Sequence, residues 1–380
     1  PGRSPAPAVF SSMLRCILAP LAAAWALSAH AQAPANAPAP PAAGAPRPIY
    51  ALVLPGADTP FARAAEALRQ GFFAANKAAR SPIDVQVIEL APGADPLGAL
   101  NTARERGARV AVGPLPRPEV ASIAALPALP LPVVALNVLD HDNGLPGELI
   151  LMGLPAEDEA RRLVAIALAE FAGRVPGDTA RPRFLVLATD APLERRIAQA
   201  YTDALTAAGE RSSTLTVRPD LLEPLAQQIA ESKAEAVFLA LDARSAALVR
   251  PRLPREAFVF ATSLANPGNP EASADARALA QDLEGVRFVD APWLIDAAGP
   301  GVVGVARPTA PLSALEERLY ALGIDAYRVA RLWAEGKTRF ELDGATGFLR
   351  LDRVRSARVE RRPRSAILRN GVIEREDFGR

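Results

Sequence analysis

The chain has 380 residues, which is longer than one hydrophobic core usually organises, so two domains or lobes are expected. Half of the residues are hydrophobic and 22% are charged, a globular composition, and the formal net charge of +1 excludes the basic footprint typical of nucleic-acid binding. One cysteine and two histidines exclude a disulfide framework, an iron–sulfur cluster and a Cys/His zinc site.

The same scarcity limits catalysis. Cys16 and His30 both fall in a predicted signal peptide, so a Ser–His–Asp triad would have to use His141. His141 lies in the string Asp140-His141-Asp142-Asn143-Gly144, which is typical of a polar turn. We therefore expect a solvated loop histidine, no catalytic residue, no metal site and no cofactor.

The N-terminal residues have the pattern of a targeting segment. In residues 13–31, Arg15 precedes an apolar run that is too short to span a bilayer. The run is followed by Ala29-His30-Ala31, which predicts cleavage after Ala31. Because the apolar run follows Cys16 instead of preceding it, we expect no lipid anchor and a soluble periplasmic protein.

A spacer follows the predicted signal peptide. Residues 32–48 are almost entirely Ala and Pro, a composition that favours polyproline II and cannot form a core. The folded part is expected to begin at Ile49. No later stretch of the sequence is long and apolar enough to cross a membrane.

The next hundred residues alternate strand and helix patterns. Continuous apolar runs predict strands at Ile49–Leu54, Ile83–Leu90, Arg109–Val112 and Pro132–Leu136. Thr59-Pro60 is expected to begin the first helix, with Thr59 as its N-cap. This rhythm predicts a parallel sheet with helices on both faces.

The rhythm then restarts. A short strand at Leu149–Met152 precedes a helix from about Pro155 to Phe171, and Arg174–Pro182 contains helix breakers. Further strands are predicted at Phe184–Leu187, Ala236–Leu241, Ala257–Ala261 and Val286–Val289. Two similar series indicate an α/β protein with two lobes.

The C-terminal part has one long helix and two strands. Ser313 and Glu316 form a capping-box pattern, and Gly323 is expected to bend the helix that follows. Strands are predicted at Gly347–Leu351 and Ala366–Leu368, and the second is expected to turn at Asn370-Gly371.

Several strings resemble the type I periplasmic binding proteins. They are the first strand and helix from Leu54 to Ala75, Val112-Gly113-Pro114-Leu115, the helix around Tyr320–Tyr327, and the turn Leu342–Gly347. Within that superfamily the chain resembles the penicillin-binding-protein activators, the LpoA or LppC family. The more specific marks are Val112–Leu115, Ala135–Asn137, Gly153-Leu154 with Glu157–Ala160, Arg318–Tyr327 and Asp343–Gly347.

The resemblance implies two doubly wound parallel-sheet lobes with a cleft between them. It predicts lobe 1 at 49–153, lobe 2 at 154–291, and a crossover segment at 292–380 that returns to lobe 1 and adds the closing strands. It implies a periplasmic, non-enzymatic regulator that binds and activates a class A penicillin-binding protein. The alternative is a solute-binding protein of an ABC importer for a small polar ligand.

This chain departs from the family pattern in three ways. We expect no usable lipidation cysteine, the Ala/Pro spacer stands directly before the first lobe where better-known members carry a helical-repeat domain, and Pro155-Ala156 stands where relatives have Ser-Pro. Amino-acid-binding relatives also place a Ser or Thr shortly after the third-loop Gly-Pro. Here that loop is Leu115-Pro116-Arg117-Pro118, which lacks the hydroxyl and has fewer backbone donors.

Ligands of open α/β sheets bind beyond the carboxyl ends of the strands. The cleft candidates at these ends are Thr59, Phe61, Gly113, Pro114, Leu115, Asn137, Asp190 and Asp242. The alternative is local: Gly113-Pro114 shapes a tight turn, and Asp190 and Asp242 cap the helices that follow.

The segment Arg350–Arg369 contains eight arginines. A charge run of this kind is usually a solvated face, and the alternative is a contact surface for an acidic partner or anionic lipid headgroups. The partner-surface candidates are Arg355, Arg358, Arg361 and Arg362.

Overall fold

The structure of the chain is a computed structural model that describes residues 47–141, 144–172, 183–271 and 273–376. The predicted signal peptide, most of the predicted spacer and the predicted breaker segment 174–182 lie outside the described residues. Residues from Arg47 onward form one compact unit. Among the described residues, no helix has both the length and the apolar character needed to cross a bilayer.

The first sheet is entirely parallel. Its strands are β1 (Ile49–Pro55), β2 (Asp84–Leu90), β3 (Ala108–Val112), β4 (Val133–Ala135) and β5 (Leu149–Leu151), in the order β2-β1-β3-β4-β5. The connecting helices are α1 (Ala62–Ala78), α2 (Pro96–Glu105) and α3 (Arg117–Ala124). Two separate hydrophobic clusters cover its faces, since alternate strand residues point to opposite sides.

The second sheet begins after α4 (Ala156–Ala172). Its parallel strands are β6 (Phe184–Ala188), β7 (Ser212–Thr216), β8 (Ala236–Ala240), β9 (Phe258–Ala261) and β10 (Val286–Asp290). The helices between them are α5 (Pro192–Ala207), α6 (Leu222–Ser232), α7 (Ala243–Val249) and α8 (Ala274–Asp282). Again two clusters fill the two faces, which confirms the predicted fold of two doubly wound sheets.

The C-terminal residues serve both sheets. The elements are α9 (Pro292–Ile295), α10 (Ala314–Ala334), β11 (Arg339–Asp343), β12 (Phe348–Asp352), β13 (Glu360–Arg362), β14 (Arg364–Arg369) and β15 (Val372–Arg375). Helix α10 packs on α1, and β11, β12 and β13 form a small antiparallel sheet. Strands β14 and β15 join the second sheet as antiparallel neighbours of β10.

The chain passes between the two sheets three times. The passages lie between β5 and α4, between β10 and α9, and between β13 and β14. Beside the first passage, residues 357–359 run along β5, where Leu151 N donates to Ala357 O and Val359 N donates to Leu151 O. Strand β5, where the first passage starts, is therefore hydrogen-bonded to the segment just before β13.

One local prediction is wrong. Thr59 does not cap α1, because its hydroxyl donates to Gly56 O at 2.8 Å and the N-cap position is Phe61. Gly323 lies inside α10, which continues from Ala314 to Ala334, and a bend at this glycine stays a prediction. The Ser313–Glu316 capping box is confirmed, with Ser313 N donating to Glu316 Oε2 at 2.8 Å.

Gly323 is one half of a close helix crossing. A Cβ atom on Gly323 would lie 2.0 Å from Leu68 O of α1, and a Cβ on Gly71 of α1 would lie 1.9 Å from Tyr320 O of α10. Both distances are far below van der Waals contact. Only two glycines facing each other's helix allow the backbones of α1 and α10 to approach this closely. The ring of Phe72 then packs edge-on against Tyr327 at 5.4 Å.

We expect Gly323→Ala to lower the free energy of unfolding by about 1–3 kcal/mol, because the added methyl group must push two packed helices apart. The control is Gly98→Ala in α2, where the nearest atom to the new Cβ would be 3.9 Å away. That change should leave stability the same or raise it, since Ala is the better helix former. Chemical denaturation of both variants measures the difference, and equal stability of the two would contradict the crossing.

Candidate functional site

A cleft of about 290 Å³ opens where the carboxyl ends of both sheets face each other. Its walls are mainly aliphatic: Leu115, Leu136, Val138, Leu154, Pro155, Ala156, Leu193, Leu264, Leu315, Leu319 and Leu322. Leu193 on α5 and Leu315 on α10 are the most exposed of these apolar walls, at 39% and 62%. The cleft is thus an apolar groove whose two sides come from different parts of the chain.

The charged side chains that line this cleft are already paired. Arg117 meets Asp140 at 2.5 Å, and Arg196 meets Glu157 at 3.1 Å. Arg318 is bound to Asp290 by two hydrogen bonds of 2.8 and 2.7 Å. Since ion pairing occupies each of these groups, the cleft has little to offer the ammonium and carboxylate of a free amino acid.

Two of the eight cleft candidates line the cleft. Leu115 is buried in its wall, and the Asn137 amide lies beside it. Asn137 Nδ2 donates to Leu115 O at 3.1 Å, and its Oδ1 accepts from Val138 N at 2.9 Å. The Asn137 side chain therefore ties the loop after β3 to the loop after β4, as a local role would require.

The third-strand loop owes its shape to Gly113. This residue has φ of +113°, and a Cβ there would lie 1.9 Å from Val53 O of β1. Gly113 N donates to Val134 O and Pro114 O accepts from Leu136 N, at 2.8 and 2.9 Å. These contacts are those of a turn packed between neighbouring strands.

The remaining cleft candidates lie outside the residues that line the cleft. Thr59 is bonded to Gly56 O, and Phe61 is 46% exposed at the start of α1. Asp190 is exposed. Asp242 caps α7 by accepting from Ser245 N at 2.7 Å, the local alternative considered for it. His141 is likewise exposed in a loop.

The buried pair of Arg318 and Asp290 joins α10 to the end of β10. The carboxylate also accepts from Asn266 Nδ2 at 2.6 Å and from Ala291 N at 2.7 Å, while Arg318 Nη2 donates to Ser263 O at 2.6 Å. The exposed fractions of the Arg318 and Asp290 side chains are 11% and 1%. Burial lowers the pKa of the Arg318 guanidinium, while the charge and hydrogen bonds of Asp290 raise it. The net effect is a raised pKa.

Glu159 forms a second buried junction. Its Oε1 accepts from Arg361 Nη2 of β13 at 2.7 Å, and its Oε2 accepts from Ser263 N, after β9, at 2.9 Å. The neighbouring Asp158 meets Arg358 at 3.2 Å. The acids of the string Glu157–Ala160 thus connect the first turn of α4 to the third passage of the chain and to the second sheet.

Asp325 forms a third junction, with the turn between β11 and β12. The carboxylate accepts from Ala345 N, Thr346 N and Thr346 Oγ1, each at 2.7 Å, and lies 3.2 Å from Arg328. Burial raises the pKa of Asp325, while Arg328 and the hydrogen bonds from Thr346 and Ala345 oppose that rise. The turn between β11 and β12 is therefore bound to α10 through Asp325.

The four partner-surface candidates divide into two pairs. Arg358 and Arg361 point into the molecule: Arg358 reaches Asp158 and Leu139 O, and Arg361 reaches Glu159 with 8% of its side chain exposed. Arg355 and Arg362 are exposed. The sequence alone could not separate the two pairs, because the acidic partners of Arg358 and Arg361 lie some two hundred positions earlier in the chain.

Nothing in the sequence pattern singled out Glu194, although the structure places it at the ends of two strands. This buried carboxylate accepts from Thr189 N and Thr189 Oγ1 after β6 and from Asp242 N after β8. The available signal was an acid in the first turn of α5. Glu194 fixes two loops, and no group of the described residues forms a cluster that could hold a metal ion.

The chain is similar to known proteins in both sequence and fold. The sequence model of the family described as "LppC putative lipoprotein" matches residues 48–212 and 214–370. The penicillin-binding protein activator LpoA of Yersinia pseudotuberculosis is 27% identical in an alignment of 307 residues that covers 67% of this chain and 44% of that protein. The LpoA of Yersinia pestis matches equally. The chain therefore spans less than half the length of these relatives.

Solved structures share the fold. The C-domain of LpoA from Haemophilus influenzae, described as a regulator of PBP1A, has a TM-score of 0.67 at 23% identity and covers 87% of this chain and 100% of its own. Full-length LpoA from the same organism has a TM-score of 0.67, with 59% of its chain covered. A structure from Chromobacterium violaceum, described as "a putative branched-chain amino acid ABC transporter", has a TM-score of 0.70 at 30% identity and covers 84% of this chain and 100% of its own.

We expect Asp290→Ala to lower the free energy of unfolding by about 3–5 kcal/mol, because it leaves the buried Arg318 without its counter-charge. The control is Asp220→Ala, which removes an exposed pair with Arg218 and should cost less than about 1 kcal/mol. Thermal and denaturant unfolding of both variants tests this. If Asp290→Ala lowered the free energy of unfolding no more than the control does, the pair would not hold the two elements together.

Proposed function

The chain belongs to the LppC family, and from that premise we propose that it is a non-enzymatic regulator that binds and activates a class A penicillin-binding protein. The observation that carries the proposal is the family match across residues 48–370, in a family whose relatives include the penicillin-binding protein activator LpoA. The matched part is less than half of those relatives, so the activity of the whole protein is transferred here as a proposal.

The geometry supports a binding role rather than catalysis. The motif residues of α4, α10 and the β11–β12 turn are engaged with one another in buried junctions. A catalytic group must be free to meet a substrate, and these groups are not. We therefore propose that the chain acts through its surface, as a partner of the synthase, and carries no reaction of its own.

We place the protein in the periplasm, where the glycan-polymerising domain of such a synthase works. The expected cleavage after Ala31 and the expected absence of a lipid anchor concern residues outside the described ones, and both stay predictions. The description of the family as a lipoprotein gives the second of them no support.

A second candidate function is solute binding for an ABC importer. The observation in its favour is the Chromobacterium violaceum structure, which is 30% identical and is covered completely. The cleft argues against it, because its charged groups are paired and the loop after Gly113-Pro114 has no hydroxyl. The regulator is therefore the better-supported function.

The regulator proposal predicts direct binding. Residues 49–380 should bind the purified periplasmic region of a class A penicillin-binding protein in surface plasmon resonance and raise its rate of glycan-strand synthesis. Bovine serum albumin on a reference channel controls for nonspecific adsorption. Absence of binding at tens of micromolar together with an unchanged synthase rate would place the solute-binding function first.

The cleft predicts a negative result with free amino acids. Leu, Ile and Val should show no tight binding in calorimetry, since a buried carboxylate loses about 1–3 kcal/mol for each hydrogen bond that is not made. A micromolar or stronger complex with one of the three would favour the importer component. The same titration with a branched-chain-amino-acid-binding protein shows that the assay detects such a complex.

A further inference from the structure

Two arginines beside the third passage of the chain lack an acidic partner. Arg162 lies on α4, one turn after Glu159, and Arg362 is the last residue of β13. Among the described residues, no carboxylate oxygen lies within 4.0 Å of either guanidinium. Arg162 Nε is buried and has no hydrogen-bond acceptor.

The two arginines lie on elements that are joined to each other. The 2.7 Å bond between Glu159 and Arg361 holds the start of α4 against β13, and these two elements carry Arg162 and Arg362. The Arg362 guanidinium lies 4.6 Å from the centre of the Phe348 ring, which restricts its position. Burial lowers the pKa of Arg162, and the charge of Arg362 lowers it further.

The surrounding carboxylates are already occupied. Asp158 is shared by Arg161 and Arg358, and Glu159 is bound to Arg361 and to Ser263 N. Glu360 is exposed on the same strand and is not within ion-pair distance of Arg362. The cluster therefore keeps a positive excess that the described residues do not neutralise.

We propose that Arg162 and Arg362 form a docking site for a protruding carboxylate side chain on an acidic protein surface of the synthase. This inference rests on the proposed function and places its contact. Guanidinium groups suit carboxylates because their planar donors bind both oxygens. A half-buried guanidinium such as that of Arg162 is reached by a protruding side chain, whereas a flat bilayer surface would meet only exposed charges. Arg358 and Arg361, in contrast, hold the fold and are not part of the docking site.

The test uses surface plasmon resonance with the immobilised periplasmic region of the synthase. The variants are Arg362→Glu, Arg162→Gln and the double variant Arg162→Gln/Arg362→Glu. The matched control is Arg104→Gln/Arg277→Glu, which makes the same charge change at exposed arginines of α2 and α8. Melting curves check folding, and Arg362→Glu, an exposed change, should fold as the wild type does.

We expect the double variant to bind about tenfold more weakly at low salt, mainly through slower association. The difference should be smaller at about 0.5 M salt, because dissolved ions screen the charges. The control variant should bind as the wild type does. Loss of binding to anionic phospholipid vesicles, with synthase binding unchanged, would overturn the site in favour of lipid.

Two further outcomes separate the site from the function. If the wild-type chain does not bind the synthase, the proposed function fails and the docking site fails with it. If the wild type binds and the double variant binds equally well, or if the control is weakened by the same factor, the docking site is overturned while the proposed function stands.

Discussion

The close crossing of α1 and α10 determines where the rest of the molecule can lie. Because Gly71 and Gly323 bring the two backbones into contact, α10 has one position on the first sheet. The N-terminal half of α10 then presents Arg318 to Asp290 at the end of β10. Two residues beyond Gly323 it presents Asp325 to the β11–β12 turn. A helix that belongs to the first lobe thereby positions the second sheet and the closing strands.

This dependence gives several residues of the family-marking strings a structural role. Glu159, Arg318, Asp325 and Thr346 come from three separate strings, and each is bound to a residue of another element. A buried charge that loses its partner is costly, so substitution of one such residue penalises the whole fold. In this chain the strings therefore include residues that hold the fold together. What the chain binds depends on the exposed surface, where no such constraint acts.

The sequence predicted the sheets well because their strands are buried on both faces, and a continuous apolar run such as Phe184–Ala188 is compatible with few structures besides a buried strand. It did not predict β7, β11, β13 or β15. Strand β7 lies at a sheet edge with polar, exposed residues, and its pairing with β6 gives it a strand conformation that its composition does not favour. Gly323 shows a different limit. A glycine in a helix pattern is compatible with a bend or with a close neighbour, and only the position of Leu68 shows the close neighbour.

The same limit applies to the candidate site and bears on how the chain works. The carboxyl ends of the strands were predicted from topology, but the pairing of the cleft charges was not, because Arg117, Arg196 and Arg318 find acids on other elements.

Two of the buried pairs, Arg318–Asp290 and Arg361–Glu159, connect the passages between the sheets. To move the sheets apart about those passages, both pairs would have to separate, at about 3–5 kcal/mol for each charge left buried alone. A small ligand in an apolar cleft of about 290 Å³ has few contacts that differ between an open and a closed state. The arrangement is therefore better suited to a fixed platform that meets a protein partner than to a pair of lobes closing on a solute.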